Sequence, residues 1–190
     1  MKNYELNLFG VKRELPFIDL EDNLAFASFV IMGDTELIMA CAPKLAEKIG
    51  DVDVIITAEA KGIALTYEIS RILGKKEFIV ARKSIKSYMS GVVSVSVHSI
   101  TTSREQHLYL DGHDAESLKG KKVCIVDDVI STGESLYALE ALVESAGGIV
   151  TKKAAVLAEG NAAERDDIIF LQKLPLFQKT DDDGYEIKES

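Results

Sequence analysis

The amino-acid sequence predicts an α/β fold in which a parallel sheet is flanked by helices. Short, almost wholly apolar runs of the kind found in buried parallel strands alternate with segments that carry apolar residues at helical spacing. A strand–helix–strand alternation implies right-handed crossovers and a sheet that is covered on both faces. The chain of 190 residues is long enough for one sizeable core, so residues 1–190 are expected to form a single domain.

Four strands and three helices can be placed on this pattern. The first two helices end at Gly50 and Gly74, because glycine commonly follows the last turn of a helix. Strands are predicted over residues 52–58, 77–84, 121–128 and 149–159, and helices over residues 34–50, 61–74 and 131–148. Their order along the chain is that of a parallel sheet built by helical crossovers.

Three parts of the chain do not follow the alternation. Residues 90–112 alternate small polar and β-branched side chains, which favours a hairpin or flap rather than core. Residues 1–30 and 168–178 do not fit a strand–helix unit, and we expect them to form a small hood over the sheet. Residues 179–190 are acidic and polar and are expected to be a flexible tail.

Composition and charge exclude several classes of protein. The net charge is −9, so duplex nucleic acid is a poor partner for the surface as a whole. No apolar run reaches the roughly 20 residues that a membrane-spanning helix needs, and acidic residues interrupt the N-terminus where a signal peptide would be apolar. Cys41 and Cys124 lie in apolar runs and are expected to be reduced core residues. We therefore expect a cytoplasmic protein that binds neither nucleic acid nor a membrane.

The residues that carry chemistry are concentrated in Val123–Ser135, which reads VCIVDDVISTGES. A buried strand ends in an acidic pair, Asp127 and Asp128, and the chain then turns through Ser131–Ser135 into a helix. Ligands of open α/β sheets bind beyond the carboxyl ends of the strands, and the start of a helix favours an anion. Carboxylates beside a phosphate repel it unless they accept hydrogen bonds from sugar hydroxyls or hold a metal. The pattern therefore indicates a ribose-phosphate site.

At these residues the sequence resembles the type I phosphoribosyltransferases, whose motif is an apolar strand, an acidic pair and a T-G-x-[ST] loop. The resemblance implies that Asp127 and Asp128 are catalytic and hold Mg²⁺, directly or through the ribose and pyrophosphate. It also implies that five residues bind the substrate phosphate, namely Ser131, Thr132, Gly133, Glu134 and Ser135. A nucleotide hydrolase that used the acidic pair for magnesium would need a G-x-x-x-x-G-K-[ST] loop, which this sequence lacks.

Two further segments occur in the order that this family has. The segment TAEAKGIAL, Thr57–Leu65, resembles the family's pyrophosphate loop, in which Gly62 lets the backbone approach the ligand and Lys61 adds charge. The segment ARKSIKSY carries cations on or just past a strand end, and resembles a pyrophosphate-binding segment that often reaches a neighbouring subunit. The resemblance thus implies substrate-binding roles for Glu59, Ala60, Lys61, Gly62, Arg82, Lys83 and Lys86. It covers residues 30–175 and implies a homodimer.

As a whole, the resemblance implies a purine phosphoribosyltransferase of purine salvage, with phosphoribosyl pyrophosphate and a purine base as substrates and Mg²⁺ as cofactor. Adenine is the expected base, because the E-A-K-G loop, the R-K-x-x-K run and the LPLF ending look like adenine enzymes. The products would then be AMP and pyrophosphate.

Two alternatives stay open. The flap sequence SVSVHSITT looks more like xanthine enzymes and the purine repressor, with His98 or Ser99 where adenine enzymes tend to carry an acidic residue. Enzymes for 6-oxopurines, however, commonly place a lysine after the fourth strand, where this chain has Gly160. The other alternative is a non-catalytic regulator that senses phosphoribosyl pyrophosphate. The acidic net charge and the few residues before the first core strand argue against a DNA-binding module.

Overall fold

The computed structural model describes residues 2–20, 23–98, 105–180 and 184–188. Within these ranges the elements are β1 (Asn3–Leu8), β2 (Val11–Asp19), β3 (Leu24–Ala27), α1 (Thr35–Ile49), β4 (Val54–Ala58), α2 (Ile63–Ile72), β5 (Ile79–Ala81), β6 (Val93–His98), β7 (Glu105–Leu110), α3 (Gly112–Leu118), β8 (Lys122–Ile130), α4 (Glu134–Ser145), β9 (Ile149–Glu159), β10 (Ile169–Leu174), β11 (Leu176–Lys179) and β12 (Tyr185–Ile187). The central sheet has the order β10-β9-β8-β4-β5, and all of its strand pairs are parallel. The predicted α/β fold is confirmed.

Helices cover both faces of the central sheet. Along β8, Cys124 and Val126 belong to the core that contains α1 and α2, whereas Val123 and Ile125 belong to the core that contains α3 and α4. All four side chains are fully buried. Because successive side chains of a strand point to opposite faces, a strand that is covered on both sides needs the unbroken apolar run that the sequence shows.

The start of α1 joins the central sheet to the N-terminal strands. Asp34 accepts a hydrogen bond from the backbone N–H of Leu37 at 3.1 Å, which caps the helix. Arg13 of β2 donates from Nε to Asp34 Oδ2 at 2.7 Å and from Nη2 to Glu36 Oε2 at 2.8 Å. The paired Arg13 side chain holds the pKa of Asp34 below its ordinary value. The cap therefore also fixes β2 against the first core helix.

The hood is a second, antiparallel sheet of order β1-β2-β3-β11-β12. Phe177 is fully buried beneath it, with its ring centroid 5.2 Å from that of Tyr4 and 4.7 Å from that of Phe17. The predicted hood is thus confirmed for the N-terminal strands and for Leu176–Lys179.

The expectation that residues 168–178 join the hood as a whole is wrong. Ile169–Leu174 form β10, which pairs in parallel with β9 and completes the central sheet. The connection between these two strands contains only a short 3₁₀ turn over Gly160–Glu164. Since no helical segment separates β9 from β10, the strand–helix alternation could not reveal a fifth strand.

The expectation of a flexible tail is wrong for Tyr185–Ile187, which pair with β11. The ring of Tyr185 stacks on Phe17 with centroids 4.3 Å apart, and its hydroxyl donates to Asp19 Oδ1 at 2.7 Å. An aromatic side chain in an otherwise polar segment therefore anchors this strand to the hood.

The predicted flap is an antiparallel hairpin of β6 and β7, and the Ser99 position lies outside the described residues. The strand predicted over residues 77–84 is limited to Ile79–Ala81, and α3 was not predicted. Strand β8 is longer than predicted, so the acidic pair lies within the strand rather than at its end. Among the described helices, none has the length and apolar character to cross a membrane.

Candidate active site

One cleft at the carboxyl ends of the central strands contains most of the predicted site residues. It has a volume of about 280 Å³ and is bordered by the sheet, the hood and the hairpin. The predicted residues that line it are Glu59, Ala60, Lys61, Lys83, Asp127, Asp128, Ser131, Thr132, Gly133, Glu134 and Ser135. Gly62, Arg82 and Lys86 lie outside its lining, although they belong to segments that border it.

The acidic pair projects from the second half of β8, with one carboxylate deeper than the other. Asp128 is only 1% exposed, and its Oδ1 accepts a hydrogen bond from the Val129 N–H at 3.0 Å. Its Oδ2 is buried and has no hydrogen-bond partner among the described residues. The nearest cation is Lys61, whose Nζ lies 3.6 Å from Asp128 Oδ2. A buried oxygen in this condition is ready to accept a ligand hydroxyl or to bind a metal ion.

The two carboxylates share a region of negative potential. Burial raises the pKa of Asp127 well above its ordinary value, and the adjacent charge of Asp128 raises it further. The positive charge of Lys61 acts in the opposite direction. Because a second negative charge is unfavourable here, a cation in the cleft would be bound strongly.

The residues Ser131–Ser135 comprise the turn after β8 and the first two residues of α4, and we call them the phosphate loop. Gly133 has a φ of 84°, a left-handed conformation that side chains disfavour. Helix α4 begins at the next residue, and the first backbone N–H groups of a helix have no partner within it. The side chain of Arg165 lies next to the loop. A Cβ at position 133 would be only 2.9 Å from its Nη1. The loop is therefore built to receive an anion.

A second loop, Glu59–Gly62, follows β4 and approaches the acidic pair from the neighbouring strand. A Cβ at Gly62 would lie 2.4 Å from the Oγ1 of Thr57 and 3.6 Å from the Cα of Asp127. The sequence predicted that Gly62 lets the backbone approach the ligand. That role stays a prediction, and the contacts give glycine a further reason, since only glycine lets the loop pack this closely against its own strand and against β8.

Glu59 contacts the basic segment, Arg82–Lys86, which follows β5. Its Oε1 accepts a hydrogen bond from the Lys83 N–H at 2.6 Å, and its Oε2 lies 3.1 Å from Arg82 Nε. Lys86 Nζ is 3.8 Å from the same carboxylate. Glu59 therefore positions the cations, and of the three only Lys83 lines the cleft. This positioning role was not predicted from the sequence.

Several residues of the cleft were missed by the sequence reasoning. Phe26 and Phe29 come from the hood, and Gln106 and Leu108 come from β7 of the hairpin. No local pattern marks these four, because they reach the cleft only through packing of separate segments. Glu159 also lines the cleft, and it could have been found, since it is the last residue of a core strand beside β8.

The donor set suits a magnesium ion that is shared with a substrate. Among the described residues there is no cluster of three or more histidine, cysteine, aspartate or glutamate side chains that could hold a metal alone. Magnesium commonly binds one or two carboxylates together with substrate phosphates and water. The unpartnered Oδ2 of Asp128 and the adjacent Asp127 offer that pair of carboxylates.

Comparison with known proteins supports the family resemblance that the sequence predicted. The family model of the phosphoribosyl transferase domain matches residues 34–181, which include the acidic pair and all three loops. A hypoxanthine/guanine phosphoribosyltransferase of Methanothermococcus okinawensis is 36% identical over 133 residues, covering 69% of this chain and 68% of the relative. The same-named protein of Methanocella arvoryzae is 38% identical over 124 residues, covering 65% of this chain and 60% of the relative. The chain thus spans about three fifths to two thirds of the length of these relatives.

A solved structure, the adenine phosphoribosyltransferase of Thermoanaerobacter pseudethanolicus, matches over almost the whole chain. The TM-score is 0.61 at 24% sequence identity, with coverage of 91% of this chain and 96% of that one. At this level of identity the match shows that the two chains share a fold.

Proposed function

Because this chain belongs to the phosphoribosyl transferase domain family, we propose that it transfers the ribose 5-phosphate group of phosphoribosyl pyrophosphate to a nitrogen of a purine base. The observation that carries the proposal is that the acidic pair, the phosphate loop and two cationic side chains, Lys61 and Lys83, line one cleft. The names of the two archaeal relatives support a purine as the acceptor.

Each part of the substrate has a matching region of the cleft. The phosphate loop would bind the 5′-phosphate, and Asp128 Oδ2 would accept a hydrogen bond from a ribose hydroxyl. Lys61 and Lys83 would neutralise the pyrophosphate, with Glu59 holding the basic segment in place. The rings of Phe26 and Phe29 offer an apolar wall for the base.

The reaction breaks the bond between the anomeric carbon and pyrophosphate and forms a carbon–nitrogen bond to the base. Positive charge develops on the sugar as pyrophosphate leaves, and the carboxylates of Asp127 and Asp128 would stabilise that charge. Lys61 and Lys83 would stabilise the departing anion. Mg²⁺, held by the acidic pair directly or through substrate oxygens, would supply further positive charge to the pyrophosphate. Holding sugar and base in one cleft would also align them for attack.

We further propose that adenine is the preferred base. The absence of a lysine after the fourth strand supports this preference, but Gly160 has a reason of its own. Its φ is 55°, and a Cβ there would lie 2.9 Å from Leu176 Cδ1, so the turn itself disfavours a side chain. The E-A-K-G loop and the R-K-x-x-K run, which resemble those of adenine enzymes, support the same preference. Hypoxanthine and guanine are the second candidates, and the names of the archaeal relatives favour them.

A spectrophotometric assay with phosphoribosyl pyrophosphate, Mg²⁺ and each of adenine, hypoxanthine, guanine and xanthine tests both the transfer reaction and the preference for adenine. We expect kcat/KM to be at least about tenfold higher for adenine than for the other bases, the discrimination that one misplaced buried polar contact can give. Faster turnover of hypoxanthine or guanine would contradict the adenine preference and leave the transfer reaction in place. Binding of phosphoribosyl pyrophosphate without turnover of any base would instead indicate a regulator.

We also propose that the enzyme is a cytoplasmic homodimer. Two large side chains in and just after the basic segment, Ile85 and Tyr88, are 60% and 69% exposed. A second copy of the chain could cover them. Cys41 and Cys124 are buried and unpaired, in keeping with a reducing compartment. Light scattering on the purified protein would contradict the dimer if it gave the mass of a single chain.

A further inference from the structure

Glu159 has a carboxylate in the cleft that the transfer of the ribose phosphate does not use. It is the last residue of β9 and lines the cleft together with the acidic pair. Within the described part of the chain its carboxylate accepts no hydrogen bond and forms no ion pair at 4 Å or less. A partly buried polar group without an internal partner needs another explanation, and a ligand is the first to consider.

The register of the strands locates Glu159 between the sugar site and the hood. In the sheet, Ala158 pairs with Ile130 of β8, so Glu159 lies one step further, beside the start of the phosphate loop. Glu159 itself pairs with Leu174 of β10, and the chain continues from there into Leu176, the partner of Phe26. Glu159 therefore lies between the start of the phosphate loop and the segment that pairs with Phe26, and both Glu159 and Phe26 line the cleft.

Little positive charge near Glu159 offsets the burial of its carboxyl group. Burial raises the pKa of its carboxyl group above the ordinary value, and Lys61 is the one charge that opposes this rise. Lys61 Nζ lies 3.6 Å from Asp128 Oδ2, whereas no ion pair at 4 Å or less joins it to Glu159 among the described residues. A carboxyl group that is partly desolvated and lacks a donor gains more from a ligand N–H than a solvated one would.

We propose that Glu159 recognises the base, by accepting a hydrogen bond from the exocyclic amino group of an aminopurine. This inference rests on the proposed function and adds a residue that selects among purines. An amino group of the base can donate to the carboxylate. A carbonyl oxygen at the same position is itself an acceptor, so the lone pairs of the two oxygens would repel each other. The chemistry therefore favours adenine if the carboxylate faces C6 of the base, or guanine if it faces C2, over hypoxanthine and xanthine, which carry no amino group.

The test compares Glu159→Met with the wild-type enzyme on adenine, guanine and hypoxanthine. Methionine keeps the length of the side chain and removes the acceptor. We expect kcat/KM for the aminopurine that the wild type uses best to fall at least tenfold, mainly through KM, while kcat/KM for hypoxanthine changes less than threefold. The affinity for ribose 5-phosphate, measured by calorimetry, should stay within twofold of wild type.

Two further variants separate recognition from a structural role. Glu159→Gln retains a neutral acceptor and should restore part of the lost aminopurine activity. Glu164→Gln removes a carboxylate that lies nearby on the exposed 3₁₀ turn and pairs with Lys173 at 2.7 Å, and it should leave the ratio between bases unchanged.

The outcomes distinguish this inference from the proposal on which it rests. A selective loss of aminopurine activity in Glu159→Met, with ribose 5-phosphate affinity retained, supports the inference. An equal change for all bases, or no change, overturns it and leaves the phosphoribosyltransferase activity standing. A wild-type protein that turns over no purine at all overturns both.

Discussion

The sugar-phosphate end of the cleft comes from one continuous segment of chain, whereas the base end is assembled from several. The acidic pair lies in β8, and the phosphate loop follows it directly into α4. Phe26, Gln106 and Glu159 come from the hood, the hairpin and the end of β9. Strand, turn and helix fix the first set locally, while only tertiary packing brings the second set together.

This difference has a functional consequence. In the proposed reaction the continuous end would contact the part of the substrate that is the same for every base, so changes there should reduce the reaction with all bases alike. The assembled end can vary one segment at a time, so changes there should alter the choice of base. The predictions below test this division, beginning with the largest expected effect.

The most severe loss is expected at the buried carboxylate of the continuous end. Asp128→Asn should lower kcat by roughly 10²-fold or more, because it removes one preorganised charge from the site of the developing cation. The loss should be the same for every base that the enzyme uses, and steady-state kinetics would measure it. Stability should not fall, since loss of the ion pair with Lys61 is offset by relief of the repulsion between Asp127 and Asp128.

Asp166→Asn is the matched control for this change, because Asp166 is exposed and does not line the cleft. It should retain the wild-type kcat. Near wild-type turnover in Asp128→Asn would remove that carboxylate from the mechanism. A loss confined to one base would break the division between the two ends.

An intermediate effect is expected at the phosphate loop. Gly133→Ala should weaken binding of both phosphoribosyl pyrophosphate and nucleoside monophosphate by about tenfold or more, because a φ of 84° is costly for any side chain and the loop would shift. Titration calorimetry with AMP and with phosphoribosyl pyrophosphate measures this loss. Adenine alone lacks a phosphate, so its affinity should change much less.

Gly120 provides a control with the same backbone requirement at a distant turn. Its φ is 67°, and a Cβ there would meet no atom within 4 Å. Gly120→Ala should therefore lower the free energy of unfolding by about 1–2 kcal/mol and leave ligand binding unchanged. If Gly133→Ala also kept its full affinity for AMP, the 5′-phosphate would have to bind elsewhere.

The smallest predicted effect is a pH dependence of stability that arises from Asp127. Its folded-state pKa is raised by burial and by Asp128, so between the unfolded value and the folded one the native state holds a proton that the unfolded chain has lost. The stability that this proton contributes is present at low pH and is lost as the pH rises through that window. Asp127→Asn should flatten the slope by at most about 1.4 kcal/mol per pH unit.

Urea denaturation at several pH values from about 5 to 8 would measure this slope. Asp166→Asn should keep the wild-type slope, because Asp166 is exposed and does not line the cleft. An unchanged slope in Asp127→Asn would mean that the folded protein does not raise the pKa of Asp127.

Prediction from the sequence succeeded for features that one short segment specifies and failed for features that form between distant segments. The four core strands, their helices and the phosphate loop were found from the sequence, because each is specified by residues within one short segment. The fifth strand, Ile169–Leu174, was missed since the connection that precedes it contains a 3₁₀ turn and no α-helix. Tyr185 was assigned to a flexible tail because the stacking that holds it involves Phe17, at the other end of the chain.

The sequence by itself determined the parallel sheet, the acidic pair and the glycine-containing turn into α4 where we propose that the phosphate binds, since strand periodicity and turn chemistry are local properties. Only the tertiary structure decided that Gly62 is required by packing, that Glu59 holds the basic segment, and that Glu159 shares a cleft with the phenyl rings of the hood. Each of these depends on distances between residues that are far apart along the chain. Such distances are set by how the sheets pack together, and no single segment encodes them.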